Sequence, residues 1–147
     1  CFINGGENYH TEIAETIYNK KPIGIKTYGK ISETIIDDGG YEHMINFSHT
    51  NKIAVKVFVK IRTDTAYEGT AGADDIKENL TTYINSLGVG ESVILSALYG
   101  QIHKVAGVDE VLDLKLSKEV NNFEAKNITV EKWEVVSCEI VTVEVIN

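Results

Sequence analysis

The chain has 147 residues, 43% of them apolar and 24% charged, with a single Pro; this is globular composition, not that of a disordered, collagen-like or coiled-coil chain. Fourteen basic against 22 acidic residues leave a net charge of −8, which speaks against a general DNA- or RNA-binding module because phosphate contacts need a basic face. No apolar run approaches the ~20 residues of a membrane helix, so no membrane-spanning segment is expected.

The length allows one typical domain or two small ones. A chain of this size buries about 70% of its unfolded surface, so its core needs no staple. The two cysteines, Cys1 and Cys138, stand at opposite ends. They do not make a disulfide framework and read as unpaired thiols, with a bridge or an intersubunit pairing as the alternative. No Cys-x-x-Cys occurs, so neither a zinc ribbon nor a thioredoxin-type site is supported. The opening Cys-Phe-Ile-Asn has no Met and none of the regions of a signal peptide. It reads as the start of a fragment excised from a longer protein. Asn-x-Ser/Thr triplets at Asn46, Asn79 and Asn127 read as chance matches rather than glycan sites.

In chain order, the apolar start before Gly5-Gly6 predicts a strand end that turns into a helix. Asn8 is the expected cap, and Ile13, Ala14, Ile17 and Tyr18 give the helix one apolar face. Lys20 and Lys21 suit its C-terminal dipole, and Pro22 ends it. Residues 30–37 and 41–48 flank Asp38-Gly39-Gly40, which is hairpin-turn chemistry, with Tyr41, His43, Ile45 and Phe47 alternating on one face. Asp37-Asp38 belongs to that turn, because the spacing and distal Glu of a calcium loop are missing. Residues 52–63 form the clearest strand. Ile53, Val55, Val57, Val59 and Ile61 alternate with a face bearing Lys56, Lys60 and Arg62. That short basic face reads as solvated, with an anion-contacting face as the alternative.

Residues 64–73 are polar and rich in Gly and Ala, and read as a loop. Asp75 to Glu78 resembles a capping box, opening a helix striped by Ile76, Leu80, Tyr83, Ile84 and Leu87 and closed by Gly88. A second helix is predicted from Glu91-Ser92 to Gly107. A strand over 108–116 is expected to bury Leu112, Leu114 and Leu116, and 117–127 reads as a long polar loop. Two closing strands follow at 128–133 and 137–146. The fold class is therefore α+β. Residues 1–51 make a strand-helix-hairpin segment, read as the end of a larger domain. Residues 52–147 make a two-layer sandwich of helices on one face of a mainly antiparallel sheet.

No constellation declares a reaction. His10, His43, His49 and His103 lack metal-ligand spacing. There is no Gly-x-Ser-x-Gly nucleophile turn. Gly88-Val89-Gly90 lacks the third glycine of a dinucleotide loop and follows a helix. The amides of Gly5-Gly6 could meet an anion at a helix start, but Glu7, Glu12 and Glu15 disfavour a phosphate there. Acidic residues are spread as solvated faces, and the seven tyrosines suit packing better than an aromatic box. Accordingly no catalytic residue, cofactor-binding residue, metal ligand or cofactor is assigned, and no enzymatic activity is expected.

Three stretches resemble the baseplate J family of contractile phage tails. The first is Gly5-Gly6, the acidic helix with Ile13-Ala14 and Ile17, Pro22-Ile23-Gly24-Ile25 and Thr27-x-Gly29. The second is the Phe47 strand end, a short polar link and the alternating strand 53–61. The third runs Tyr83-Ile84-Asn85-Ser86-Leu87-Gly88-Val89-Gly90-Glu91, then Leu98, Ile102 and Gly107-Val108-x-x-Val111-x-Asp113-Leu114. The resemblance spans residues 3–117, and the tail matches in kind as closing strands. It implies a structural, non-enzymatic wedge protein in the baseplate of a phage or phage-derived particle, assembled in the bacterial host cytoplasm. The partners it implies are other baseplate or tail subunits, without nucleic acid, and the isolated chain is expected to be a monomer or weak oligomer. Tyr67, in the loop after the central strand, and Trp133 are the exposed aromatic candidates for such contacts, with Trp133 reading equally as a core residue. The competing reading is a small-ligand-binding or regulatory α+β domain, for which residues 66–73 would be the loop over the pocket; an enzyme fragment is the third.

Overall fold

The computed structural model describes residues 1–119 and 122–146. The chain divides into two compact units, Cys1–Asn51 and Lys52–Asn147.

In the first unit, β1 (Phe2–Ile3) runs parallel to β3 (Glu42–His49), and β3 pairs antiparallel with β2 (Ile31–Ile36). Helix α1 (His10–Lys20) lies between β1 and β2 in sequence. The hairpin forms where the Asp-Gly-Gly chemistry places it. Asp37 Oδ1 accepts hydrogen bonds from the Gly39 and Tyr41 amides, both at 2.9 Å. The helical stripe also works as its period predicts: Ala14, Ile45 and Phe47 are buried, with Ile13, Ile17, Tyr18, Ile31 and Ile35 packed round them. Asn8 is not the cap, however. The helix begins at His10, and Tyr9 before it makes no side-chain cap bond. The Tyr9 amide donates instead to the Gly6 carbonyl at 2.9 Å. Gly5-Gly6 therefore turn the chain ahead of the helix rather than forming its N-terminus.

In the second unit, β4 (Asn51–Thr63) is the central strand of a sheet ordered β5-β4-β6, with β5 at Val108–Ser117 and β6 at Glu134–Ile146. Two helices, α2 (Gly69–Asn85) and α3 (Leu95–Ile102), connect β4 to β5. Val55, Val57, Val59 and Ile61 are fully buried in one core with Ile76, Leu80 and Ile84 of α2 and Leu98 and Ile102 of α3. Burial of such side chains contributes about 1.5–3 kcal/mol each. Both sheets are mixed rather than purely antiparallel. β5 runs antiparallel to β4. The ion pairs Lys56–Glu139 and Lys60–Glu144 climb β4 and β6 in the same direction.

Several predicted boundaries move, each for a local reason. Helix α2 starts at Gly69, so part of the expected loop is helix and Asp75 lies inside it. The small residues let the first turn pass under the Tyr67 ring, which leaves no room for a Cβ at Gly72. Helix α3 starts at Leu95, not Glu91. Residues 91–94 are held extended because Val93 and Ile128 exchange both backbone hydrogen bonds, at 2.9 and 3.0 Å. That same isolated bridge occupies Ile128, so residues 128–133 do not form a strand. Asn127 Oδ1 accepts from the Leu95 amide at 2.8 Å and so caps α3 from a distant segment. The predicted polar loop 117–127 includes residues 120 and 121, which lie outside the described residues.

Strand β5 also departs from strict alternation. Its register against β4 shifts between Lys60 and Ile61 and again between Arg62 and Thr63, leaving Leu112 and Asp109 as extra residues. Leu114 and Leu116 are buried as predicted, but Leu112 is 38% exposed. Val111 and Val108 take over the inward positions.

Candidate interaction surface

The segment after α1 is the most exposed apolar stretch of the first unit. Pro22 stops the helix because it lacks the amide that the next turn needs. The Ile25 amide then donates to the Pro22 carbonyl at 3.3 Å, and Gly24 takes φ 84°, the left-handed conformation that a type II turn requires at its third residue. Ile23 at the tip is fully exposed, Ile25 is 55% exposed and Tyr28 is 76% exposed. Beyond the turn the chain is tied to β3. Thr27 Oγ1 accepts from the Asn46 amide at 2.8 Å, and the Asn46 side-chain amide donates to the Thr27 carbonyl at 3.2 Å. Gly29 then passes so close to β3 that a Cβ would lie 2.1 Å from the Phe47 carbonyl. Thr27 and Gly29 thus fix the exit of the turn.

Between this turn and the end of α1 lies an open cleft of about 650 Å³, lined among others by Tyr18, Lys21, Ile23, Ile25, Lys26 and His43. His43 is held by Asp37, with Nε2 2.8 Å from Oδ2, and its ring lies against Tyr18 with centroids 4.8 Å apart. The bond to His43, with the Tyr41 amide next in weight, holds the Asp37 carboxyl below its ordinary range. Lys21 sits over the Tyr18 ring at 5.6 Å. No acidic residue occurs between Glu15 and Glu33, whereas Lys20, Lys21, Lys26 and Lys30 do.

The other expected features fall elsewhere. His10 and His49, treated separately in the sequence, meet: their Nε2 atoms are 3.3 Å apart, and Glu33 Oε1 is 3.9 Å from His10 Nδ1. Parallel pairing of β1 with β3 sets His49 beside Ile3, a juxtaposition that no local spacing announces. Among the described residues no three His, Cys, Asp or Glu side chains converge as a metal-ligand set. His103 caps the C-terminus of α3.

On the outer face of the second sheet, Lys56, Lys60 and Arg62 each meet a carboxylate, on Glu139, Glu144 and Glu110. Lys115 pairs with Asp113 on the same strand. This face is therefore charge-compensated, not an anion-contacting surface. Tyr67 is not an exposed anchor. Its ring lies against Gly72, and its hydroxyl is buried without a hydrogen-bond partner. Burial, and then the charges of Asp75 and Asp74, push its pKa up. Trp133 is 42% exposed. Cys1 and Cys138 are both free thiols.

The second unit thus pairs the charges of its sheet face internally, and the first displays isoleucines and lysines after α1. Residues 55–144 match the model of the baseplate J-like protein C-terminal domain, and the chain belongs to that family of phage structural proteins. The match takes in the tail to residue 144, whereas the stretch from Gly5 to Gly29 lies outside it. A comparison with curated proteins gives no match.

Proposed function

We propose that the chain is a structural part of the wedge of a contractile tail baseplate, from a phage or a phage-derived particle assembled in the bacterial cytoplasm. It works through contacts with neighbouring baseplate subunits. The observation that carries this reading is the family match over residues 55–144. The ligand-binding alternative needed residues 66–73 as a loop over a pocket, and most of that stretch is the first turn of α2. The test is reconstitution with the baseplate subunits encoded beside this gene, followed by size exclusion and crosslinking. Co-elution with at least one of them is expected. Co-elution with none, together with tight binding of a metabolite in a thermal-shift screen, would replace this reading with the ligand-binding one.

A further inference from the structure

We infer that the cleft at the C-terminal end of α1 is a docking site for an acidic surface on a neighbouring baseplate subunit, with Ile23 and Ile25 as apolar anchors and Lys21 and Lys26 as charged contacts. The inference rests on the baseplate reading and names the chemistry of one partner.

Two independent features point to such an occupant. The first is apolar exposure held in a fixed conformation. Pro22 and Gly24 set the turn, and Thr27 and Gly29 tie its exit to β3. The isoleucines are thus presented without the ordering cost that a floppy loop would incur on binding. They stand beside a concave space of about 650 Å³, so a partner side chain can be enclosed rather than only touched. An apolar centre with a polar rim is the anatomy of a protein interface.

The second is unpaired positive charge in a chain of net charge −8. Lys56, Lys60, Arg62, Lys77, Lys115 and Lys126 each meet a carboxylate. Among the described residues no carboxylate pairs with Lys20, Lys21, Lys26 or Lys30. Four of the eight cations without a carboxylate partner among the described residues therefore fall within the eleven residues from Lys20 to Lys30, a stretch with no acidic residue. Two of them, Lys21 and Lys26, line the cleft; complementarity requires negative charge opposite them. A nucleic-acid backbone would neutralise the lysines but leave Ile23 and Ile25 in water. A planar anionic bilayer would cover the turn but not fill the space between Tyr18 and Ile25. A protein surface carrying carboxylates round an apolar side chain satisfies both features.

The experiment titrates the full chain against each adjacent baseplate subunit at low and high salt. It compares wild type with Lys21→Glu/Lys26→Glu, Ile23→Ser and a control on α2, Lys77→Glu; circular dichroism melts verify folding, and Lys26→Glu alone replaces the pair if the double variant does not fold. The expected result is salt-sensitive binding of one subunit that weakens about tenfold or more in each cleft variant, as for a central interface residue, and is kept in Lys77→Glu. Wild-type binding that is unchanged in the cleft variants, or equally weakened by Lys77→Glu, would overturn the docking site and leave the baseplate reading standing. Wild type that binds none of the subunits would sink that reading and the docking site with it. Binding of vesicles of anionic phospholipid, lost in the same variants while no subunit binds, would assign the cleft to a membrane instead.

Discussion

Gly29 and Gly100 make a matched pair at the scale of single residues. A Cβ at Gly29 would lie 2.1 Å from the Phe47 carbonyl group, whereas one at Gly100 would meet nothing within 4 Å. Gly29→Ala should destabilise by about 3 kcal/mol, since strand backbone cannot move aside as a side chain can. Gly100→Ala, in the interior of α3, should stabilise by about 0.5–1 kcal/mol. Urea midpoints that shift in the same direction would contradict the geometry. Asp37 supplies a pH signature. Its folded pKa lies below the ordinary value, chiefly through the bond from His43. The stabilisation is therefore complete above the unfolded pKa of about 3.9 and is lost as pH falls through the lower, folded one. Asp37→Asn should be less stable than wild type at neutral pH, and the gap should close in acid; parallel loss of stability would show the bond to be immaterial. The thiols should differ as well. Burial raises the pKa of Cys138, while Thr81 partly offsets it, and Cys1 is exposed. Alkylation followed by mass spectrometry should label Cys1 first. The motif Thr27-x-Gly29 was visible in the sequence, but its reason was not. A close approach of two backbones 18 residues apart in the chain leaves no trace in composition.

Elements were legible wherever one period ran unbroken. β4 is the plainest case: Val55, Val57, Val59 and Ile61 are all fully buried, as their alternation requires. Val57→Asp should cost about 3–5 kcal/mol, because an unpaired charge is placed in the core. Lys56→Asp, on the other face, should cost less, through loss of its pair with Glu139. A denaturation midpoint for Val57→Asp no lower than that for Lys56→Asp would reverse the facing. Reading failed where tertiary partners overrule local pattern. Glu91-Ser92 looked like a helix start, yet Ile128 holds Val93 extended. The Gly- and Ala-rich stretch before Asp75 looked like a loop, yet small residues there serve the packing of Tyr67 on α2. On β6 the inward row runs through Val136 and Cys138 and then shifts phase to Val141 and Val143. Glu139 and Ile140 fall between the two runs, so a single alternation cannot describe the whole strand.

For the whole molecule, the net charge of −8 argues that isolated copies repel one another. Sedimentation at physiological salt should find a monomer or a weak oligomer; a tight oligomer would indicate that self-contact outweighs that repulsion. The family was legible because turn glycines and apolar positions recur at set distances from Gly88 to Leu114. The candidate docking surface was not, because isoleucine, lysine and tyrosine are ordinary residues until a fold exposes them together. The register shifts of β5 have a consequence for how such a chain can change length. Leu112 and Asp109 oppose no residue of β4, so removal of either one would straighten the ladder and keep Leu114 and Leu116 facing the helices. Removal of Lys115, which is paired with Phe58, would invert the facing of one arm of the strand. Single-residue deletions in the middle of a strand usually destroy its facing. Here the strand carries two positions at which a descendant could lose a codon and still assemble the same core.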